Sequence, residues 1–234
     1  LSPAPDGTAV VALVGAPNAG KTTIFNALTG LHAKTGNYPG VTVGRARGRC
    51  QVAGDTAVEV EDLPGTYSLE PISLDEQITV DLLHGRLEGV DTPDAVVVVA
   101  DATTLGTSLR LLARVLELGA PTTLALTMYD ELVARGGSLD TARLGRALGI
   151  PVVVADGRRR SGTADLVGLL GAPQDWPTPV VAPPTGPEES TAWARSVLLT
   201  ASYRPATESA LTARIDRQIQ QPVAASAASS AAHE

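Results

Sequence analysis

The chain has one cysteine and no long hydrophobic run, and each of these two features excludes some classes of protein. Cys50 has no partner within the chain, which excludes an intrachain disulfide and a multi-cysteine metal cage. We expect a small, half-buried apolar side chain in a reducing compartment. No apolar stretch approaches the ~20 residues that cross a bilayer, and the first ten residues lack the basic start and apolar centre of a signal peptide. The chain as given is therefore expected to be soluble and cytosolic.

Basic residues are also few. The chain has 18 basic and 25 acidic residues, giving a net charge of −7, and only two of the basic residues, Lys21 and Lys34, are lysines. This balance argues against a sequence-independent grip on nucleic acid or on an anionic membrane. The length of 234 residues and the 44% hydrophobic content predict one sizeable globular domain with a small appendage.

Short apolar runs alternate with helical patterns along the first 170 residues. Apolar runs that predict buried strands are Ala9–Val14, Ala95–Ala100, Thr122–Leu126 and Pro151–Ala155. A helix is predicted from Thr22 to Leu31. Repeated strand then helix indicates an α/β fold with a mostly parallel sheet. Two runs, Val43–Val52 and Thr56–Val60, flank a tight connection at residues 53–55, which predicts a hairpin and hence one antiparallel edge strand.

The composition changes after Leu170. Six prolines between residues 171 and 187 favour an extended, stiff linker, and helical patterns return after it, with a second short one at Leu211–Ile219. We therefore divide the chain into an α/β domain, a proline-rich linker, a small helical domain, and a disordered or added tail. These parts are residues 1–171, 172–187, 188–221 and 222–234.

A glycine-rich loop carries the clearest functional signal. Gly15 to Thr22 fits G-x-x-x-x-G-K-[ST] between a predicted strand and a predicted helix, the P-loop of nucleotide-binding proteins. Backbone N–H groups of such a loop face the β-phosphate, Lys21 reaches the β- and γ-phosphates, and Thr22 places its hydroxyl on Mg²⁺. The structural alternative is a glycine-rich turn with a helix-capping lysine. The residues expected to contact the phosphates are Gly15, Ala16, Pro17, Asn18, Ala19, Gly20, Lys21, Thr22 and Thr23.

Two further segments fit the same chemistry. Asp62 lies at the end of a predicted strand, where it can hold the water shell of Mg²⁺, and Gly65 can offer its N–H to the γ-phosphate. Thr42 ends a glycine-rich loop, residues 36–42, and can close on Mg²⁺ when a γ-phosphate is present. For Thr42 an ordinary loop threonine is the structural alternative.

These segments together resemble a known family. GAPNAGKTTIFNALTG, GNYPGVTV, DLPGTYSL and SLDEQITVDLL resemble the cytosolic GTPase domain of bacterial FeoB-type ferrous iron transporters, over about residues 8 to 170. The segment up to about residue 220 resembles, more loosely, the small helical domain of that family. The resemblance implies a P-loop (Ras-like) GTPase fold and a membrane permease that is absent from this chain.

The resemblance also implies a function and partners. It implies a domain that binds GTP and GDP, hydrolyses GTP slowly, and gates Fe²⁺ uptake through switch-loop movement at the cytoplasmic face of the bacterial inner membrane. Its partners are the transporter's own membrane domain and small accessory proteins of iron uptake, with no nucleic acid. Lys21, Thr22, Thr42, Asp62 and Gly65 match the family's phosphate, Mg²⁺ and switch residues.

A potassium site is implied as well. Asn18 matches an asparagine that helps ligate K⁺ in potassium-stimulated members of this GTPase class, together with carbonyls near Gly36 and Tyr38. The ion supplies charge where other GTPases use an arginine finger. For Asn18 the structural alternative is a loop amide that bonds the backbone.

The chain departs from the family where the base is recognised. In place of N-x-x-D it has Thr127, Met128, Tyr129 and Asp130; Asp130 can still accept both guanine N–H groups, whereas Thr127 lacks an asparagine's amide. Asp156 and Gly157 replace the usual Ser-Ala pair. The Gly157 N–H can still meet guanine O6, but Asp156 adds an acidic group beside the base. We expect a reduced guanine preference. The arginines at 158–160 are expected to form a solvated loop.

The position after Gly65 departs from many GTPases too. There is no glutamine there to orient the attacking water, so Thr66, backbone groups or a more distant residue must do it, and slow hydrolysis is expected. The three histidines are scattered and predict no metal site.

Two other functions remain open from the sequence. One is a stand-alone GTPase of the ribosome-assembly or tRNA-modification kind, which shares both phosphate motifs but usually appends a basic RNA-binding domain. The other is a nucleotide-binding interaction domain that does not hydrolyse its ligand.

Overall fold

The computed structural model describes residues 8–30, 33–54, 56–159, 161–179, 184 and 186–207. The strands are β1 (Val10–Val14), β2 (Ala33–Asn37), β3 (Gly44–Ala53), β4 (Thr56–Asp62), β5 (Ala95–Asp101), β6 (Thr122–Thr127) and β7 (Val152–Val154). The helices are α1 (Lys21–Thr29), α2 (Leu74–Leu83), α3 (Leu105–Leu116), α4 (Tyr129–Ala134), α5 (Thr141–Leu148), α6 (Ala164–Leu170) and α7 (Pro187–Thr200).

The strands form one sheet in the order β2-β3-β4-β1-β5-β6-β7. Pairing is parallel from β4 through β1, β5 and β6 to β7, and β3 runs antiparallel to both β4 and β2. The predicted mostly parallel sheet with antiparallel pairing at one edge is confirmed. The edge position itself belongs to β2, which the sequence patterns did not predict. Gly36 and Asn37 therefore lie in a strand, and the loop begins at Tyr38.

Both faces of the sheet are covered by helices. The side chains of the central strand β1 alternate between the two faces. Ala12 and Val14 pack into one core cluster, and Val11 and Leu13 pack into the other. The first cluster lies under α2, α3, α4, α5 and α7, and the second lies under α1 and α6. Coverage on both faces explains why the central strands are continuous apolar runs.

Some boundaries and environments differ from the predictions. Helix α1 ends at Thr29 because Gly30, with φ 62°, forms a left-handed C-cap. Leu31, the predicted last residue, lies outside the described residues. Cys50, expected to be half-buried, is 1% exposed, and burial raises the pKa of its thiol to about 11.

The proline-rich segment starts as packed structure. Pro173 and Trp176 are buried, and the Trp176 indole N–H donates to the Leu169 carbonyl at 3.0 Å. Residues 173–176 are therefore folded against α6 rather than extended as expected, because the indole ring buries a large apolar surface there.

Helix α7 packs back on the sheet domain. Ala194 and Val197 belong to the core cluster that α3 and α5 also cover, and the Tyr203 hydroxyl donates to the carbonyls of Ala102 and Thr103. The second predicted helix of the appendage, Leu211–Ile219, lies outside the described residues. Within the part of the chain that the structure describes, no helix combines the length and the apolar character that crossing a bilayer requires.

Candidate nucleotide-binding site

The P-loop joins β1 to α1 and owes its shape to two glycines. A Cβ on Gly15 would lie 2.4 Å from the Val99 carbonyl oxygen of β5, so only glycine fits there. Gly20 has φ 84°, a left-handed conformation that costs glycine little. No side chain caps α1, and its first turn holds no acidic residue. The first N–H groups of α1 therefore point out of the helix end toward the cleft, where an anion is favoured.

Lys21, Thr22 and Asp62 meet at the end of β4. The Lys21 ammonium lies 2.9 Å from one Asp62 carboxylate oxygen, and the Thr22 hydroxyl donates to the other at 2.8 Å. The Lys21 and Asp62 side chains are only 10% and 9% exposed. The structure thus brings together the predicted phosphate and Mg²⁺ residues, which lie about forty positions apart in sequence.

An open cavity of about 550 Å³ lies beside this cluster. Its wall combines the predicted phosphate and metal residues with the loop after β2, so groups from three segments face one space. The predicted site residues on this wall are Lys21, Thr22, Gly36, Thr42, Asp62 and Gly65.

Gly65 is pressed against the P-loop. A Cβ at this position would lie 3.0 Å from the Pro17 nitrogen, and the neighbouring Thr66 N–H donates to the Gly15 carbonyl at 3.0 Å. The loop after β4 is therefore held directly against the P-loop backbone, with Gly65 on the wall of the cavity.

Thr66 does not support the expected role in orienting water. Its side chain is fully buried, and its hydroxyl donates to the Ser68 carbonyl and lies 3.4 Å from Glu76. The Glu76 carboxylate also accepts from the Ile72 N–H at 2.9 Å. Thr66 thus holds the loop after β4 in shape, which favours the other two expected sources of water orientation, backbone groups or a more distant residue.

A buried triad, unforeseen in the sequence, anchors the loop that follows β2. The Tyr38 hydroxyl donates to Glu61 at 2.8 Å, and the Arg45 guanidinium binds both Glu61 oxygens at 2.9 and 3.0 Å. Arg45 also lies over the Tyr38 ring, 5.5 Å from its centroid. Burial and the Glu61 carboxylate raise the pKa of Tyr38, so its hydroxyl stays a donor. Glu61 precedes Asp62, so the triad links this loop to the strand that carries Asp62.

The residues of the implied potassium site occupy different settings. Asn18 is exposed on the P-loop with φ 64°, a conformation that asparagine tolerates better than most residues. Gly36 borders the cavity from β2. Tyr38 is 1% exposed, and its carbonyl accepts from the Val41 N–H at 3.3 Å.

Thr127 ties the base-recognition strand to the P-loop. Its hydroxyl lies 2.7 Å from the Ala19 carbonyl and 3.2 Å from the Ala100 carbonyl, and its methyl side packs on Gly20. The Thr127 hydroxyl therefore links β6 to the P-loop, although threonine lacks the amide of the family's asparagine. Met128 follows with φ 53° and is the N-cap of α4. Helix α4 presents Asp130 to solvent.

Gly157 rests on the start of α1. A Cβ there would lie 2.7 Å from the Thr23 carbonyl oxygen, so the loop after β7 approaches α1 as closely as a backbone can. This contact brings Gly157, Thr23 and the end of the P-loop together.

The acidic groups of the base region are paired with arginines. Arg158 contacts Asp130 at 2.8 Å through Nη2 and Asp156 at 2.9 Å through Nε, and Arg159 lies 3.6 Å from Asp156. Hydrogen bonds from Arg158 lower the pKa of both carboxyls. The charge of Asp156 is therefore compensated by ion pairs that the sequence did not predict. The Arg158 and Arg159 side chains are 64% and 78% exposed, so this part of the loop is solvated as expected, as well as ion-paired. Arg160 lies outside the described residues.

Comparisons with known proteins agree with this geometry. The family model FeoB_N, described as ferrous iron transport protein B, matches residues 9–169. The Fe(2+) transport protein A/Fe(2+) transporter FeoB fusion protein of Porphyromonas gingivalis is 41% identical over 167 residues, covering 71% of this chain and 19% of that protein. The chain spans about a fifth of the length of the curated relatives it matches.

Solved structures extend the similarity to the fold. The cytosolic domain of the T. maritima FeoB iron transporter in GDP form II is 39% identical, with a TM-score of 0.64 over 70% of this chain and 62% of that one. The GMPPNP form is 27% identical, with a TM-score of 0.71 over 83% and 99%. With the family model matching more than half of its residues, the chain belongs to the FeoB_N family of ferrous iron transport protein B.

Proposed function

We propose that this chain binds guanine nucleotides and hydrolyses GTP as the regulatory domain of a ferrous iron transporter. The observation that carries the proposal is the cluster of Lys21, Thr22 and Asp62 beside a P-loop, on a cavity that Thr42 also borders. The bound nucleotides of the T. maritima FeoB structures, GDP and GMPPNP, support guanine as the base.

The residues divide the work of hydrolysis. Water attacks the γ-phosphorus, the bond to the β-phosphate oxygen breaks, and GDP and phosphate leave. The P-loop N–H groups and Lys21 hold the phosphates and stabilise negative charge that moves onto the β–γ bridging oxygen. Gly65 borders the same cavity, and its N–H would bind a γ-phosphate oxygen. Backbone groups or a more distant residue would orient the water in place of the missing glutamine, and we expect slow turnover.

The oxygen groups of the cavity suit Mg²⁺. The Thr22 hydroxyl and the Asp62 carboxylate would hold the ion, directly or through water, with Thr42 joining from the loop after β2. When bound, Mg²⁺ neutralises charge on the β- and γ-phosphate oxygens.

The wider setting is proposed from the family. We propose that the GTPase domain extends to Trp176, which packs against α6, and that the helical segment begins with α7 at Pro187. Both would lie at the cytoplasmic face of the bacterial membrane. Movement of the loops that carry Thr42 and Gly65 would gate Fe²⁺ passage through the transporter's membrane domain, with accessory iron-uptake proteins as further partners.

The base contact gives the test of this proposal. We expect GDP to bind more tightly than ADP, because the Asp130 carboxylate accepts two guanine N–H groups that adenine does not have. Asp130→Ala should erase that preference and cost roughly 10- to 100-fold in GDP affinity, as expected for hydrogen bonds to a charged group. Calorimetric titration measures the affinities for both nucleotides, and an assay of phosphate release from GTP measures hydrolysis. Asp165→Ala removes the same charge from an exposed residue of α6 and serves as the control.

The results of these two measurements distinguish the proposed function from two others. Equal binding of ADP and GDP by the wild type would make the protein a general nucleotide binder. Tight GTP binding without any phosphate release would make it an interaction domain that does not hydrolyse its ligand.

Potassium dependence is a separate prediction. Replacing Na⁺ with K⁺ should raise the hydrolysis rate, and Asn18→Gly should remove the difference. Glycine is the better substitution because Asn18 has φ 64°, where alanine would add backbone strain. Phosphate release at matched ionic strength measures both. Equal wild-type rates in the two salts would show that the potassium role does not extend to this chain.

A further inference from the structure

Arg158 holds the carboxylate that is placed to read the base. Its Nη2 lies 2.8 Å from Asp130 Oδ2, and its Nε and backbone N–H both donate to Asp156 Oδ1, at 2.9 and 3.0 Å. Asp130 and Arg158 are 28 positions apart and come from different elements, α4 and the loop after β7. The ion pair therefore spans the two segments that frame the base.

This ion pair conflicts with base recognition. Guanine presents N1–H and the 2-amino group side by side, and a carboxylate reads them by giving one oxygen to each donor. In the structure one of the two Asp130 oxygens already accepts from Arg158. Since a carboxylate oxygen offers about two acceptor sites, Arg158 takes one of the two on that oxygen and competes there with the guanine donors.

We propose that Arg158 is a specificity-determining residue that competes with guanine for Asp130 and thereby weakens guanine nucleotide binding. The inference rests on the proposed reading of the base by Asp130. Asp156 makes the exchange possible, because Arg158 keeps its Nε and backbone contacts to Asp156 when it gives up Asp130. Gly157 fixes the base of this loop on α1, so Arg158 stays within reach.

The competition tunes binding without blocking it. The Arg158 and Asp130 side chains are 64% and 60% exposed, and ion pairs of this kind contribute little because water and salt screen them. Removing the competitor should therefore tighten GDP binding about two- to five-fold. We expect the gain to appear mainly as slower GDP release.

Neighbouring arginines provide a matched experiment. Arg158→Ala and Arg159→Ala remove the same charge from the same exposed loop, but only Arg158 contacts Asp130. We expect Arg158→Ala to tighten GDP and to leave ADP unchanged, because adenine does not need the Asp130 oxygens. Arg159→Ala should not tighten either nucleotide. Calorimetric titration measures both, and the ratio of GDP affinities between Arg158→Ala and wild type should shrink as salt rises.

A double variant separates the proposal from the function on which it rests. In an Asp130→Ala background, Arg158→Ala should give no further gain in GDP affinity. Weaker GDP binding by Arg158→Ala, or the same gain from Arg158→Ala and Arg159→Ala, would overturn the competition while leaving Asp130 as the base reader. If Asp130→Ala itself leaves the GDP preference unchanged, the proposed base recognition fails and the competition fails with it.

Discussion

Replacing Lys21 with alanine is expected to lower the rate of GTP hydrolysis by about 100-fold or more, the usual cost of removing one preorganised donor at a developing charge. The loss should be large here because Lys21 is buried beside Asp62. Without the ammonium, the site loses one of the positive charges that offset the Asp62 carboxylate and the phosphates. Phosphate release under saturating GTP and Mg²⁺ measures the effect.

The chain supplies the control for this prediction. Lys34, the other lysine, is exposed on the edge strand β2, and Lys34→Ala removes the same charge away from the phosphates. It should leave turnover unchanged. Circular dichroism of Lys21→Ala should match wild type, since Asp62 keeps its Thr22 hydrogen bond. Wild-type turnover by Lys21→Ala would refute the site assignment.

Replacing Arg45 with methionine is expected to lower the free energy of unfolding by about 3–5 kcal/mol. Glu61 is 1% exposed, and Arg45 provides its only ion pair within the described residues. Methionine fills the volume of the arginine stem but leaves a buried carboxylate without its counter-charge. Urea unfolding followed by circular dichroism measures the change.

Two matched variants test the physical cause. Arg47→Met, two positions along β3, removes an arginine that faces Glu59, whose side chain is 37% exposed, and should cost at most about 1 kcal/mol. Adding Glu61→Gln to Arg45→Met should recover much of the loss, because the amide oxygen still accepts from Tyr38 without a buried charge. A double variant as unstable as Arg45→Met alone would contradict the charge argument.

The phosphate end of the site was predictable because its sequence determines its own backbone. Gly20 sets the left-handed turn of the P-loop locally, and Lys21 and Thr22 follow as the first residues of α1. Asp62 was predictable because the ends of parallel strands meet at one edge of the sheet. No long-range packing had to be known for these residues.

The unpredicted features depend on contacts between distant segments. Strand β2 has no apolar alternation and exists through its pairing with β3. Arg45 and Glu61 meet only because of the register of β3 on β4. The Arg158–Asp130 ion pair likewise needs the loop after β7 to be placed on α1. Opposite charges at Arg45, on one predicted strand, and at Glu61, directly after the next predicted strand, were a signal of such pairing.

The anchoring of Tyr38 bears on the speed of the switch. Tyr38 is held by Glu61, and its N–H donates to the Val43 carbonyl at 3.0 Å, so we expect loop rearrangement to be confined to residues 39–42. Loop motions of this size take nanoseconds to microseconds, whereas intrinsic GTPase turnover runs on the order of seconds to hours. The position of Thr42 is thus resampled many times in each turnover. We therefore expect Thr42 to affect the hydrolysis rate through the equilibrium between its positions, which a bound ion can shift. We do not expect its movement to be a slow step.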